Sequence, residues 1–347
     1  MNSRPVGLAI SFLVHWFFCC FTNIGVDYQN YYRIIEYLGT SSAFEGVELG
    51  FTWLCLALKW LHLNPDQIIF ILKTITVILF YRGFYKIKNV TVLPLVILAY
   101  NALIYLQGFY LLSMQLAIAL LFLSSINFLF GDRKKTIYHF ILGCLIHTSS
   151  VLLAPIVLIL LYLQKKHQTI TKKQISFLVG VMIVVVVSFS IIYDYAISSI
   201  PLFQFYAAYE LVDASQSTGS GLGQIFFYLP IFYFVLQIYN SNLSLDIKNA
   251  SVVFSIVGFS YAMLGYKVDV LMRINESFFC IYALFIPLLL CKRKLRLISI
   301  KQIRFPYSME TLVWVIYLIF RGYIVTAGYM SDNSLSEISE YNFFIPF

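Results

Sequence analysis

ILGCLIHTSSVLLAPIVL, residues 141–158, sets one imidazole and three hydroxyls between two apolar runs. Asp132-Arg133-Lys134-Lys135 stands before it and Gln164-Lys165-Lys166-His167 after it. How the chain passes through this stretch decides the fold, because both of its ends are cationic. Cation-rich short loops stay on the cytoplasmic side of a bilayer, so the two ends share a side and an even number of passes must join them. Residues 137–163 therefore read as a re-entrant pair of short helices, with His147-Thr-Ser-Ser at the apex. Each arm has about 11–15 residues, or roughly 17–22 Å of helix, short of the roughly 30 Å of hydrocarbon. Irregular backbone at such depth is tolerated only within protein or beside a water-filled cavity. His147 is thus expected to face an aqueous pocket open to the outer side.

The rest of the chain supports a membrane setting. Of 347 residues, 60% are hydrophobic, 18% aromatic and only 12% charged, with a mean hydropathy of +0.82. A water-soluble domain carries about 25% charged residues. The composition predicts an all-α polytopic integral membrane protein forming a single transmembrane domain over residues 1–347. Candidate spans are 5–22, 66–84, 90–106, 109–130, 174–193, 223–239, 250–266, 274–291 and 309–328. With the pair at 137–163 they make about 11 membrane segments of the length that a bilayer asks for. Residues 1–22 carry only Arg4 ahead of the apolar run and no small-residue cleavage site, so they read as a retained first span. Six cysteines show no metal-ligand or disulfide spacing and read as small core hydrophobes.

Charge then threads the spans. With the amino terminus cytoplasmic, the inner set is Arg4, Arg82, Lys86, Lys88, Arg133, Lys134, Lys135, Lys165, Lys166, Lys172, Lys173, Lys248, Lys292, Arg293, Lys294, Arg296, Lys301 and Arg304. These are 18 of the 24 cations, against three of the 16 acids (Asp132, Asp246 and Glu310). A single crossing at 137–163 would instead send the Lys165–Lys173 and Lys292–Arg304 clusters outward, against the charge rule. By the same logic residues 49–63 form an amphipathic interfacial helix rather than a span. Residues 23–65 and 194–222 become the outer loops, without independent domain character, and the carboxyl terminus lies outside. The net charge of +8 is thereby spent on topology, and no nucleic-acid partner is expected.

No phosphate-cradling glycine loop, paired-carboxylate nucleotide motif or His/Cys metal cluster is visible, so no cofactor and no metal are expected. Six cations remain: Arg33, Lys59, Lys73, Lys267, Arg273 and Arg321. A charge at a helix centre costs about 2.5–3.5 kcal/mol on insertion scales. Lys73 and Arg321 read as paired or snorkelling, and Lys59, on the interfacial helix, needs no special role. Lys267-Val-Asp269-Val-Leu-Met-Arg273-Ile-Asn275-Glu276 reads as a short outer turn. Arg273 there either pairs with Asp269 and Glu276 or forks onto a phosphate. The first outer loop opens Asp27-Tyr28-Gln-Asn-Tyr31-Tyr32-Arg33, with Glu45 and Glu48 further on. Its tyrosines are either an interfacial belt or a platform for sugar rings. His147 is either a buried histidine bonded to Thr148 or Ser149, or a general base near neutral pH.

Taken together these residues resemble the Wzy-type polysaccharide polymerases, in particular the EpsG-like branch. Asp27-Tyr28…Tyr31 opens the first outer loop, and Glu48-Leu-Gly50-Phe51 is similar to the family's E-x-G-[FY] entry to an amphipathic helix. Ala117-Ile-Ala119-Leu is similar to the small-residue span after an Arg-Gln pair. His147-Thr-Ser149 resembles an H-x-S element, Met272-Arg273 the late arginine, and Phe343-Phe-Ile-Pro346 the terminal proline element. Ser113 or Met114 stands where many relatives carry the arginine of Arg-Gln. The resemblance implies a glycosyltransferase of the bacterial inner membrane that moves a growing glycan, such as an O-antigen, from undecaprenyl diphosphate onto a lipid-linked repeat unit. The transfer would occur on the periplasmic side. It implies undecaprenyl-diphosphate-linked oligosaccharides and membrane lipids as partners, with a chain-length regulator as a further one. In that frame His147, Arg273, Asp27 and Glu48 are the expected catalytic residues. Arg33, Tyr28, Tyr31, Tyr32 and Glu276 are the expected substrate contacts. A ligase-type glycosyltransferase and a lipid-linked oligosaccharide flippase are the alternatives.

Overall fold

The computed structural model describes residues 4–23, 28–39, 48–105, 111–199, 222–265, 269–292, 298–300, 303–305, 309–331 and 345–346. Within these, the side chains of residues 4, 190–194, 196–199, 222–224, 269–273, 275–276, 292, 298–300, 303–305 and 325–331 are not described. The chain is a polytopic membrane protein, helical apart from one short β-hairpin, whose described residues fall into two compact units. Unit 1 comprises Met1–Val151 and Leu290–Phe347, and unit 2 comprises Leu152–Leu289.

Unit 1 begins with α1 (Arg4–Cys20), α2 (Tyr28–Tyr37), α3 (Leu49–Trp60) and α4 (Pro65–Ile87). It continues with α5 (Leu93–Leu103), α6 (Leu112–Leu129) and α7 (Arg133–Ile146). The reason α4 starts where it does is local: Asn64 accepts from the Gln67 N–H, Gln67 returns the bond to the Asn64 N–H, and Pro65 occupies the first helical position. α6 is apolar all round and buried on nearly every side, as a helix at the centre of a bundle must be. α4 and α7 flank it, α3 lies on α7, and α1 on α4. Small residues allow the close approach of α6 and α7. A Cβ added at Gly143 would already touch the Ala117 carbonyl at 3.4 Å, the device that membrane helices use to bring backbones together.

Unit 2 holds a 3-10 stretch (Thr148–Leu153), shared at its start with unit 1, then α8 (Ala154–Lys166), α9 (Lys172–Ser199) and α10 (Leu222–Tyr239). It ends with α11 (Leu245–Leu264) and α12 (Asp269–Lys292). α11 is the hub, in contact with α8, α9 and α10. Buried Asn249 clasps the α8–α9 connection, accepting from the Ile170 N–H (2.9 Å) and donating to the Gln168 carbonyl (2.7 Å). Along α9, Phe177, Ile183, Val184 and Val187 all point outward, as on a span facing lipid. A short antiparallel hairpin, β1 (Ile298–Ile300) with β2 (Ile303–Phe305), and then α13 (Met309–Ser331) belong to unit 1. α13 packs on α5.

Among the described residues, five helical stretches are long and apolar enough to cross a membrane: Pro65–Ile87, Leu112–Leu129, Thr148–Lys166, Lys172–Phe189 and Leu245–Leu264. Expected interruptions are present, with differences. The helix through 137–163 does break at His147. Its arms are unequal, however: α7 has 14 residues, whereas the 3-10 stretch and α8 together have 19. The interfacial helix is present as α3, 12 residues long and so only about 18 Å, too short to cross. It buries Phe51 and Cys55 and turns Trp53 and Trp60 outward. Two expectations are corrected. The segment 269–276, read as a turn, is the first two turns of α12, where an acid at the start favours a helix. The first outer loop contains a helix, α2, that buries Tyr28 and Ile35.

Candidate active site

Glu48 precedes α3 in an extended conformation, and its carbonyl accepts the Thr52 N–H at 2.9 Å. The two residues that begin α3 after Leu49 aim its carboxylate. Gly50 lies so close to α7 that an added Cβ would stand 2.6 Å from the Leu145 carbonyl oxygen. Only glycine permits that contact. Phe51, fully buried, sets its ring edge against Tyr31 at 5.6 Å between centroids. Glu48-Leu-Gly50-Phe51 therefore acts as a docking element that presses the start of α3 onto the end of α7.

His147 ends α7. Its N–H donates to the Gly143 carbonyl at 2.9 Å, and its own carbonyl accepts from the Ser150 N–H at 3.0 Å. The extended backbone at this point releases the imidazole from the helix and turns it toward α3. His147 Nδ1 lies 2.6 Å from Glu48 Oε1, with the two side chains 21% and 20% exposed. Ser113, at the start of α6, puts its Oγ 3.3 Å from the same nitrogen. Tyr31 from α2 completes the group: its hydroxyl is 3.2 Å from Ser113 Oγ and accepts the Ser113 N–H at 3.3 Å. Four elements of unit 1 thus converge on one histidine. With Nδ1–H held by Glu48, Nε2 keeps its lone pair and has no hydrogen-bond partner among the described residues. A carboxylate-oriented imidazole with one free nitrogen, partly open to solvent, is equipped to take and return a proton.

α2 is tied down at both ends. Near its start, the Tyr28 hydroxyl donates to Asp66 Oδ1 at 2.5 Å, and the Lys73 ammonium sits 5.5 Å from its ring centroid. Lys73 also donates to the Thr22 carbonyl at 3.2 Å, the structural partner expected for it. Burial, then the Asp66 carboxylate, push the Tyr28 phenol well above its ordinary range, so it remains a donor at any ordinary pH. At the other end, Lys59 donates to the carbonyls of Ile35, Glu36 and Leu38 at 3.2, 2.7 and 2.8 Å. Lys59 was expected to need no special role, and these bonds correct that. It caps the negative end of α2.

The expected residues divide accordingly. Glu48, His147 and Tyr31 come together. Tyr28 serves the anchorage of α2, Tyr32 lies half-buried against the same core, and Arg33 is exposed on the outward face of α2. Arg273 and Glu276 lie on α12, with side chains outside the described residues, and Asp27 lies outside them altogether. Ser113, Asp66 and Lys59 were not foreseen as contributors. For Ser113 a signal existed, since the resemblance set Ser113 or Met114 against the arginine of an Arg-Gln pair. Among the described residues no group of three or more His, Cys, Asp or Glu could hold a metal.

The family model that matches the chain is that of the EpsG family, over residues 7–343. The chain belongs to the EpsG family. Membership over nearly the whole length, with the apolar helices, supports a polysaccharide-polymerase-like role for this EpsG-family chain in a bacterial membrane. No curated protein and no solved structure matches it.

Proposed function

We propose that the protein is a polysaccharide polymerase. In this reading it is a membrane glycosyltransferase that moves a growing glycan from undecaprenyl diphosphate onto the end of a lipid-linked repeat unit, on the periplasmic face of the inner membrane. The observation that carries the proposal is the 2.6 Å contact of Glu48 with His147, made by the E-x-G-F and H-x-S elements that the family resemblance singles out. An acceptor hydroxyl oxygen attacks the anomeric carbon of the donor glycan, and the bond from that carbon to the diphosphate oxygen breaks. The diphosphate leaves with the bonding pair. The acceptor's proton passes to His147 Nε2 and then to water, while Glu48 stabilises the imidazolium as it forms.

Arg273 and Arg33 are proposed to hold the diphosphate, since guanidinium groups meet phosphate oxygens in a bidentate way. Asp27 is proposed as an alternative proton acceptor, and Glu276 as a further substrate contact. Tyr31 and Tyr32 offer ring faces to sugar, and Tyr28 anchors the helix that presents them. The donor is already activated by its diphosphate, so no nucleotide fold is required. The proposed fold-back of residues 137–163 rests on the charge of its two ends, and places His147 on the outer side.

The test replaces the genomic copy with Glu48→Gln, His147→Gln and the double variant, and compares polysaccharide length at matched membrane levels. Each single variant is expected to lose about 10²-fold or more of long polymer, and the double variant to be no worse than the poorer single, because the pair works as a unit. Full-length polymer from either single variant overturns the assignment. Deletion separates the classes: isolated single repeat units mark a polymerase, accumulated lipid-linked polymer a ligase, and loss of every surface unit a flippase.

A further inference from the structure

A second feature lies in unit 1, among residues apart from the Glu48–His147 pair. Between the first turns of α1, the α4–α5 connection and the start of α5 is a cavity of about 700 Å³, within the range of ligand clefts. Its wall is mostly apolar, with Leu93, Ile97 and Leu98 prominent, and three polar groups interrupt it: Lys88, Thr91 and Asn101.

Lys88 and Thr91 each present a donor. Thr91 is only 7% exposed, and its hydroxyl has no hydrogen-bond partner among the described residues. A buried hydroxyl left unsatisfied costs about 1–3 kcal/mol, so a threonine here asks for something to bond. Asn101, deeper along α5, meets His15 Nε2 with its Oδ1, and His15 Nδ1 in turn lies 2.7 Å from the Ser11 carbonyl and 2.6 Å from the Tyr81 hydroxyl. Lys88 adds a cation at the rim, half-buried, with its ammonium 3.4 Å over the Tyr85 ring. A buried unsatisfied hydroxyl and a cation at one end of an apolar trough complement a ligand with an anionic, oxygen-rich head and a hydrocarbon tail. Arg4, Arg82 and Lys86 belong to the same end of α1 and α4, which the charge rule places at the cytoplasmic surface, where anionic lipids are held.

We infer that this cavity is a binding site for an anionic phospholipid of the inner leaflet, whose phosphate meets Lys88 and Thr91 at the start of α5 while an acyl chain lies along Leu93, Ile97 and Leu98 toward Asn101. The whole protein, purified and delipidated, is titrated with phosphatidylglycerol or phosphatidylcholine and read by native mass spectrometry. Wild type is expected to bind phosphatidylglycerol preferentially. K88Q should weaken it about five-fold and leave phosphatidylcholine unchanged, while L98W, which fills the trough, should weaken both. T91V is the decisive variant, because its two effects run in opposite directions. It should bind phosphatidylglycerol about three- to ten-fold more weakly, yet the lipid-free protein should melt at the same temperature or higher, since an unsatisfied hydroxyl is gone. Equal affinity of wild type for the two lipids overturns the inference, as does unchanged phosphatidylglycerol binding in both T91V and L98W. A concentration-dependent dimer that L98W disperses, without a lipid preference, would assign the trough to a second copy and likewise overturn it.

Discussion

Gly50→Ala is the sharpest perturbation of the candidate site, because it adds one methyl group at a distance from the chemistry. That methyl would stand 2.6 Å from the Leu145 carbonyl oxygen and 2.7 Å from its carbon, whereas ordinary contact begins near 3.4 Å. The obstacle is backbone and cannot swing aside, so the start of α3 must withdraw by about 0.8 Å. Glu48, two residues upstream, goes with it. Its gap to His147 Nδ1 then grows from 2.6 Å to roughly 3.4 Å, past the usual hydrogen-bond limit of about 3.2 Å. Overpacking of this kind costs about 1–3 kcal/mol, but replacing a helical glycine with alanine returns about 1 kcal/mol. Net destabilisation is therefore small and the protein should still reach the membrane. Activity should not survive so well, since a misplacement near 1 Å costs on the order of 10²-fold. The assay measures polysaccharide length in cells at immunoblot-matched protein, with Gly180→Ala as control because its Cβ would meet nothing within 4 Å. Wild-type polymer from Gly50→Ala, at a normal protein level, would refute the reasoning.

Other positions give independent checks. Lys59→Met removes three donated hydrogen bonds from the end of α2. It should cost roughly 1–2 kcal/mol at this partly exposed site, read as faster amide exchange over residues 28–38. Asn249→Ala strips both bonds that clasp the α8–α9 connection and should lower stability by about 1–3 kcal/mol, seen as a reduced melting temperature in detergent. The Tyr28 phenol is raised in the folded state by burial and by Asp66. Its contribution is thus complete below the ordinary tyrosine value of about 10 and is lost as pH rises above it. Wild type should therefore lose more stability than Tyr28→Phe between neutral and strongly alkaline pH, with the two melting curves converging as pH rises.

Of the expected spans, 66–84, 109–130, 174–193 and 250–266 coincide with helices long and apolar enough to cross, legible because length and apolarity are what a bilayer selects. The span expected at 90–106 holds only the 11 residues of α5, too few to cross alone. The break at His147 was legible from charge: both ends of the stretch are cationic, which asks for an even number of passes and so for an interruption near the middle. Gly50 and Phe51 could be noticed as a motif, but that the glycine exists to admit the Leu145 carbonyl required α7 beside α3. α2 was hidden inside an outer loop. Its buried face, Tyr28 and Ile35, is only two turns long and mixed with polar residues, too short a pattern to outweigh the aromatic-belt reading. Lys59 went unread because its partners are carbonyls, which have no signature in sequence. His15 was passed over as one polar residue in an apolar helix, although it joins Ser11, Tyr81 and Asn101.

At His147 the bend is secured by main-chain bonds on either side, from its own N–H to Gly143 and from Ser150 to its carbonyl. The imidazole takes no part in those bonds, and its own contacts are with Glu48 and Ser113. Exchanging the ring for an inert group of similar bulk should leave the trace of the chain as it was, so that a deficit in such a protein reports lost reactivity and not a lost shape.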